Sequence, residues 1–234
     1  MDVVRTYQPV RMKARIEAAN LPETKRQLLD AAVSLMRLKG YNATTVDDIC
    51  SAARVTKGAF FHYFKSKQGI AKAALARFGD GKDQDFHDAP FGKLEDARDR
   101  VYGRLDFIEE TAGGMSESTQ GCLIGTLAQE LSLTDPELRA ICHELLLRMA
   151  RDFAKDLAEA KSAHAPAAGF DPEKLSVMFV SIFQGSTLLA KTSGSNAILM
   201  DNLQQFRLYL EGFIGPAGGS GAIPPFEPLD MTRD

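Results

Sequence analysis

Residues 44–67 read TTVDDICSAARVTKGAFFHYFKSK, and the punctuation of this stretch decides the fold. Thr44 and Thr45 ahead of Asp47 and Asp48 form a capping signature for a helix reaching about Ala53, with Val46, Ile49 and Cys50 inward. Thr56 caps a second helix from Lys57 to Phe64. Only Arg54 and Val55 lie between them, the tight turn of a helix-turn-helix, whose second helix is built to enter a DNA major groove. Phe60 and Phe64, four apart, anchor that helix to a small core and leave Phe61, His62 and Tyr63 projecting. Gly58 and Ala59 let a phosphate backbone come close, Lys57 adds charge at the same end, and the Thr56 hydroxyl faces the same way. His62 and Tyr63 can donate to phosphate oxygens, Lys67 adds a cation from the next helix, and Phe61 suits a sugar or a thymine methyl.

Helical periodicity extends outward in both directions, and strand-like alternation is missing over any useful length. Upstream, a helix begins near Pro22 or Glu23, carries Leu28, Ala32, Leu35 and Met36 on one face, and stops at Gly40. Downstream, a helix starting at Ser66 is expected to end near Gly79, closing a compact unit of residues 22–80. From Lys93 the helices lengthen, with Leu94, Ala97, Val101, Leu105 and Ile108 on one face until Gly113 and Gly114. The next helix runs from Cys122 to Leu131. Asp135-Pro136 and Asp171-Pro172 each pair an N-cap with a first-turn proline, opening helices whose inward residues include Leu138, Ile141, Leu145, Met149 and Leu157 in the first case. The second, Glu173–Lys191, is apolar almost all round, so it needs cover on more than one side. A last helix, Asn196–Phe213, places Leu199, Leu203, Phe206, Leu210 and Phe213 on one stripe. The expected fold is all-α: an N-terminal three-helix helix-turn-helix domain (22–80) and then an antiparallel helical domain (81–214). A basic N-terminal extension (1–21) and a flexible Gly- and Pro-rich tail (215–234) flank them.

The net charge of −3 conceals a division of labour. Residues 1–80 carry 14 Lys and Arg against 7 Asp and Glu, a balance of +7, and residues 81–234 carry 14 against 24, a balance of −10. A basic block beside an acidic one is the footprint expected when only the first faces phosphate. The rest of the composition, with 44% hydrophobic and 25% charged residues, is that of an ordinary globular chain and excludes wholesale disorder. The longest uncharged apolar stretch, Leu175–Ala190, holds Ser176, Ser181, Gln184 and Ser186, too short and polar for a bilayer needing about 20 apolar residues. With no secretory signal pattern either, a cytoplasmic location and no membrane partner are expected.

Catalytic constellations are missing. There is no phosphate-binding glycine loop and no nucleophile elbow, and His62, His87, His143 and His164 are isolated. Cys142 and His143 point about 100° apart on a helix, so no metal is expected, nor any cofactor. Three cysteines, Cys50, Cys122 and Cys142, are too few and too odd a number for a disulfide framework. Cys50 and Cys142 sit on apolar faces, whereas Cys122 opens a helix, where the N-terminal dipole favours a thiolate; it reads either as a small buried hydrophobe or as a sensor.

The block from Thr24 to Leu75 resembles the DNA-binding domain of the TetR/AcrR family of bacterial transcriptional regulators. The resemblance is carried by Thr44–Ile49, Val55–Gly58, His62–Phe64 and Lys65–Lys67. It implies that Thr44 or Thr45, Thr56, Lys57, Gly58, His62, Tyr63 and Lys67 contact double-stranded operator DNA, mostly its backbone. Two departures stand out: Arg54 occupies a turn position where the family often has glycine, and Phe61 stands where tyrosine is common. Later, Gly121-Cys122-Leu123-Ile124 and Leu188-Leu189-Ala190-Lys191 resemble electrophile-responsive members, which pairs Lys191 with Cys122 as the effector or redox candidate. A homodimer joined through Phe179, Phe183, Leu199, Leu203, Phe206 and Leu210 is expected. This dimer is expected to act as a repressor released by a small-molecule effector of unidentified chemistry. The alternative is a protein-interaction module without specific DNA binding.

Overall fold

The computed structural model describes residues 21–113 and 121–217. The expected N-terminal extension and C-terminal tail lie almost wholly outside those residues, as does Gly114. Among the described residues there are nine α-helices, one 3-10 turn and no strand. The first four helices are α1 (Glu23–Lys39), α2 (Val46–Ala53), α3 (Lys57–Tyr63) and α4 (Lys67–Asp88). A 3-10 turn at Pro90–Lys93 precedes α5 (Ala97–Gly113), α6 (Leu123–Leu131), α7 (Pro136–His164), α8 (Pro172–Ser193) and α9 (Ala197–Ile214).

Side chains set the short helices locally. Thr45 and Asp48 close a capping box on α2: the Thr45 hydroxyl accepts from the Asp48 amide at 3.1 Å and the Asp48 carboxylate from the Thr45 amide at 2.8 Å. The turn after α2 is left-handed at Arg54, φ 57° and ψ 41°, at a cost of about 1–2 kcal/mol that a glycine would spare. Thr56 and Ser66 cap α3 and α4 by accepting from Ala59 and Gly69. The Asp-Pro starts behave as the sequence indicates, Asp135 accepting from Leu138 and Asp171 from Glu173 and Lys174.

Two expected boundaries differ. The helix expected to stop near Gly79 runs on to Asp88, because Gly79 is a crossing point and not a stop: a Cβ there would come within 2.6 Å of Leu145 Cδ2 and 2.7 Å of Arg148 Nη2 on α7. Leu94, expected on the inner face of the next helix, is exposed, since Asp96 accepts from the Arg98 amide and starts α5 beyond it.

The apolar interior forms two clusters. One joins α1–α4 with Leu123, Ile124, Leu127 and Leu131 of α6 and the first half of α7, so the small domain's core runs into the helical domain. The other packs α5, the second half of α7, α8 and α9 around Phe153, Phe179 and Phe206. This placement corrects the expected dimer contacts: Phe179, Leu199, Leu203, Phe206 and Leu210 are buried inside this one chain, and Phe183 is half-buried facing the same interior. The apolar stripe of α9 packs against α5 and α7–α8, and Phe206 also lines the outward groove with Met178 and Tyr209.

Candidate nucleic-acid interface and interior cavity

The expected DNA-facing side chains gather around the start of α3. Thr45, Thr56, Lys57, Gly58 and His62 are exposed, Phe61 is 55% exposed, and Ala59 and Tyr63 are half-buried. Phe60 is fully buried and Phe64 nearly so, anchoring the helix as expected. The Thr56 hydroxyl oxygen caps α3, which leaves its proton to donate outward. Lys57 is held over the turn by Asp47, 2.7 Å away, in a pair exposed on both sides that a phosphate can replace. At Gly58 a Cβ would meet only Thr56 Oγ1 at 3.7 Å, so the fold does not need its bareness.

Two of the expected contacts are engaged within the chain. Thr44 is fully buried, its hydroxyl donating to the Gly40 carbonyl at 2.6 Å, so of the two threonines only Thr45 is presented. The Lys67 ammonium is engaged internally, donating to the Tyr41 carbonyl at 3.0 Å and lying 4.2 Å from the Tyr41 ring centroid. Lys39, 2.7 Å from Asp48, holds that carboxyl down to about 2 together with the Thr45 amide and hydroxyl.

Sequence reasoning missed what fastens this unit to the rest. The Glu130 carboxylate at the end of α6 accepts from the Tyr41 and Asn42 amides at 3.2 and 2.8 Å, gripping the loop that leads into α2. Gly40, at φ 85°, has no room for a Cβ, which would lie on the same carboxylate. At the other end of α6, Arg37 of α1 donates to the Gly121 carbonyl through Nε and Nη2, 3.1 and 3.0 Å, and Lys191 of α8 donates to the Arg37 carbonyl at 3.1 Å. These contacts span 84 to 154 residues of chain, so no local pattern announces them.

Lys191 reaches this corner beside Gly121, the residue before Cys122. Cys122 is buried as the N-cap residue of α6, and the Lys191 stem passes over Gly121, with Cδ 3.6 Å from where a Cβ on that glycine would sit. Burial pushes the Arg37 guanidinium pKa down, and the neighbouring Cys122 partly opposes this. Cys142 behaves as an inert core thiol, pushed up to about 11 by burial and by Cys122. All three cysteines are buried and unpaired.

Cys122 also lines a cavity of about 830 Å³ between α4, α5, α6, α7 and α8, within the size range of small-molecule sites. Its walls are aromatic and aliphatic, from Phe86, Phe107, Phe153, Phe179, Phe183 and Ile124, interrupted by arginines from α5 and α7.

On the far side of α8 and α9, Val177, Met178, Leu188, Leu189 and Tyr209 are exposed. The most apolar 18-residue window of α8 has a mean hydropathy of 1.2, enough on length and composition to cross a membrane, though α7 and α9 account for one face of it. The other face is interleaved with Ser181, Gly185 and Gln205, and an Asn202–Ser186 hydrogen bond of 2.9 Å lies along it. Gly185 has open space where its Cβ would be.

Known proteins resemble this chain in both halves. A family model described as bacterial regulatory proteins, tetR family, matches residues 28–74, and one described as the C-terminal domain of LmrA/YxaF-like transcriptional regulators matches 105–205. The transcriptional regulator AcuR of Cereibacter sphaeroides is 33% identical over 172 residues, 71% of this chain and 75% of that protein. The HTH-type transcriptional repressor DhaR of Mycobacterium sp. is 28% identical over 171 residues, 71% of this chain and 82% of that one. The crystal structure of regulatory protein TetR from Rhodobacter sphaeroides superposes with a TM-score of 0.71 and 28% identity, covering 77% of this chain and 95% of its own. These relatives are regulators of transcription and not enzymes.

Proposed function

The chain belongs to the TetR family of bacterial regulatory proteins, and from that premise we propose that it is a dimeric repressor whose α3 enters the operator major groove and whose cavity receives a releasing effector. The observation that carries the DNA reading is the first turn of α3. Thr56, Lys57 and Gly58 stand exposed there, and the glycine has no neighbour within the chain that requires it. Thr45, Thr56 and Lys57 take phosphate oxygens, Gly58 and Ala59 admit the backbone, and Phe61, His62 and Tyr63 reach sugar, phosphate and base edges.

A second copy is the occupant that best suits the outward face of α8 and α9. Gly185 in mid-helix weakens α8 by about 0.5–1 kcal/mol relative to alanine with no return inside the chain, and a closely approaching helix supplies one. The interleaved polar groups suit a protein partner better than lipid. Two-fold symmetry then sets two α3 helices about 34–36 Å apart on one face of DNA. This replaces the buried α9 stripe with Met178, Leu188, Leu189 and Tyr209 as the joining residues. Release occurs when a ligand prefers the non-binding arrangement; a hundredfold preference supplies about 2.7 kcal/mol per site. Glu130 and the Arg37–Gly121–Lys191 corner are the links through which cavity occupancy reaches α2 and α3.

A gel-shift series against inverted repeats from the region upstream of its own gene tests the reading. Sequence-dependent shifts by a dimer are expected, and equal binding to scrambled DNA favours instead an interaction module without specific DNA binding. Treating the wild type and Cys122→Ser with a thiol-reactive electrophile tests the sensor: release from the wild type alone assigns it to Cys122, and equal release removes it.

A further inference from the structure

Most cations of the DNA-facing unit are tied down by the fold. Eleven Lys and Arg lie between residues 21 and 88. Six of them, Arg26, Lys39, Lys57, Lys72, Arg77 and Lys82, are paired with carboxylates, and Arg37 and Lys67 donate to backbone carbonyls. Lys25, Arg54 and Lys65 have no such partner among the described residues. The acids from residue 21 to residue 67 are all taken: Glu23 by Arg26, Asp30 by Arg77, Asp47 by Lys57 and Asp48 by Lys39. These three cations can therefore meet an outside anion without breaking any ion pair.

Their positions bracket α3. Arg54 ends α2 just ahead of Thr56, the N-cap of α3. At the other end Lys65 follows Phe64, the C-cap, and Lys25 from the first turn of α1 places its Nζ 6.0 Å from the centre of the Phe64 ring. Arg54 and Lys65 are exposed and Lys25 is half-buried. With seven residues α3 is about 10 Å long, so cations at its two ends stand about as far apart as the two phosphate edges of a major groove about 12 Å wide. Arg54 adds a second observation. Its backbone is left-handed, a state that glycine adopts without strain, yet its exposed side chain holds no hydrogen bond or ion pair among the described residues that would offset the strain. A strained residue presenting an unpaired cation beside α3 points to a contact outside the chain.

We propose that Arg54, Lys25 and Lys65 form a phosphate clamp around α3, Arg54 on the DNA backbone at one edge of the major groove and Lys25 with Lys65 on the backbone at the other. The clamp deepens the DNA reading above and rests on it. It reads no base. Phosphate contacts of this kind fix the register of the inserted helix and add affinity for all sequences alike, each contact releasing condensed counterions.

Binding of the full chain to a mixed-sequence DNA duplex, followed by fluorescence anisotropy across a salt series, tests this. Lys25→Ala, Arg54→Gly and Lys65→Ala are each expected to reduce the slope of log affinity on log salt by about one per protomer, and the three together by about three. Arg54→Lys should keep the wild-type slope. Lys174→Ala removes the same charge from the start of α8, outside the clamp, and should leave the slope unchanged. Arg54→Gly should melt no lower than the wild type, because the arginine side chain supports nothing in the fold. Wild-type slopes in the three clamp variants, an equal loss in Lys174→Ala, a lost slope in Arg54→Lys, or a lower melting temperature in Arg54→Gly overturns the clamp. A wild type that binds no duplex defeats the DNA reading itself, whereas a steep salt dependence that none of the three variants alters defeats the clamp alone.

Discussion

The two halves of the molecule are built by different means. In the helix-turn-helix, α2 and α3 are short, and these two helices and α4 each start at a side-chain cap, Thr45, Thr56 and Ser66, so the surface proposed to meet DNA is organised by local chemistry. Among α5–α9 every helix but α6 is long, and what they enclose depends on residues that meet across the chain, as Arg104 meets Phe86, Phe91 and Phe153. Local construction keeps a DNA-facing scaffold constant, whereas distant construction lets a cavity change its chemistry by side-chain replacement without altering the helices.

The sharpest way to break the comparison is to attack the helical half on its two faces. Phe206→Ala, in the core, is expected to cost about 3–5 kcal/mol and lower the melting temperature steeply. Leu189→Glu, at 47% exposure on the outward face of α8, should leave the melting of a monomer close to unchanged while shifting sedimentation from dimer to monomer. If Leu189→Glu remains dimeric and Phe206→Ala becomes a stable monomer, the reassigned interface is wrong.

In the other half, Lys57→Ala should weaken binding to all DNA sequences alike and reduce the dependence of log affinity on log salt by about one. Lys67→Ala should leave that slope nearly unchanged because its ammonium is bound at Tyr41. Equal slope losses would restore Lys67 as a phosphate contact.

Between the halves, α4 offers two glycines two residues apart. Gly79→Ala forces a methyl against Leu145 and is expected to destabilise by about 1–3 kcal/mol, whereas Gly81→Ala, with nothing near its Cβ, should stabilise by about 0.5–1 kcal/mol. Thermal melts of both decide it, and two changes of the same sign would remove Gly79 as a packing point.

The smallest effect is a pH difference. The Asp48 carboxyl is depressed from 3.8 to about 2 when folded. Its contribution is therefore fully present above 3.8 and is lost as pH falls through about 2. The gap in melting temperature between the wild type and Asp48→Asn should close over that window, and a gap that persists would assign Asp48 a role independent of its charge.

The same division governs how much of the molecule is legible in its sequence. The helix-turn-helix, its caps, and Phe60 and Phe64 as anchors are legible because each signal lies within one turn of its effect. The interior face of α9 is legible as apolar, but periodicity cannot say which body covers it, and so Leu203 and Phe206 read as a dimer seam when they belong to the chain's own core. Gly79 reads as a helix end because glycine serves both as a stop and as a crossing point. Arg104 gives no signal at all; one position before Leu105, it looks like any solvated cation on an amphipathic helix.

At about 1.5 Å per residue, α4 is a rod of roughly 33 Å, begun by Ser66 next to α3 and carrying Phe86 in the cavity wall at its far end. Where Gly79 presses on Leu145 and Arg148 it has a fulcrum, with an arm of about 10 Å to Phe86 and one of about 18 Å to Lys67. A rigid tilt about that point would reverse and enlarge whatever happens in the cavity, so a push of about 1 Å at Phe86 would arrive as a swing of nearly 2 Å, in the opposite direction, at the edge of the DNA-facing surface.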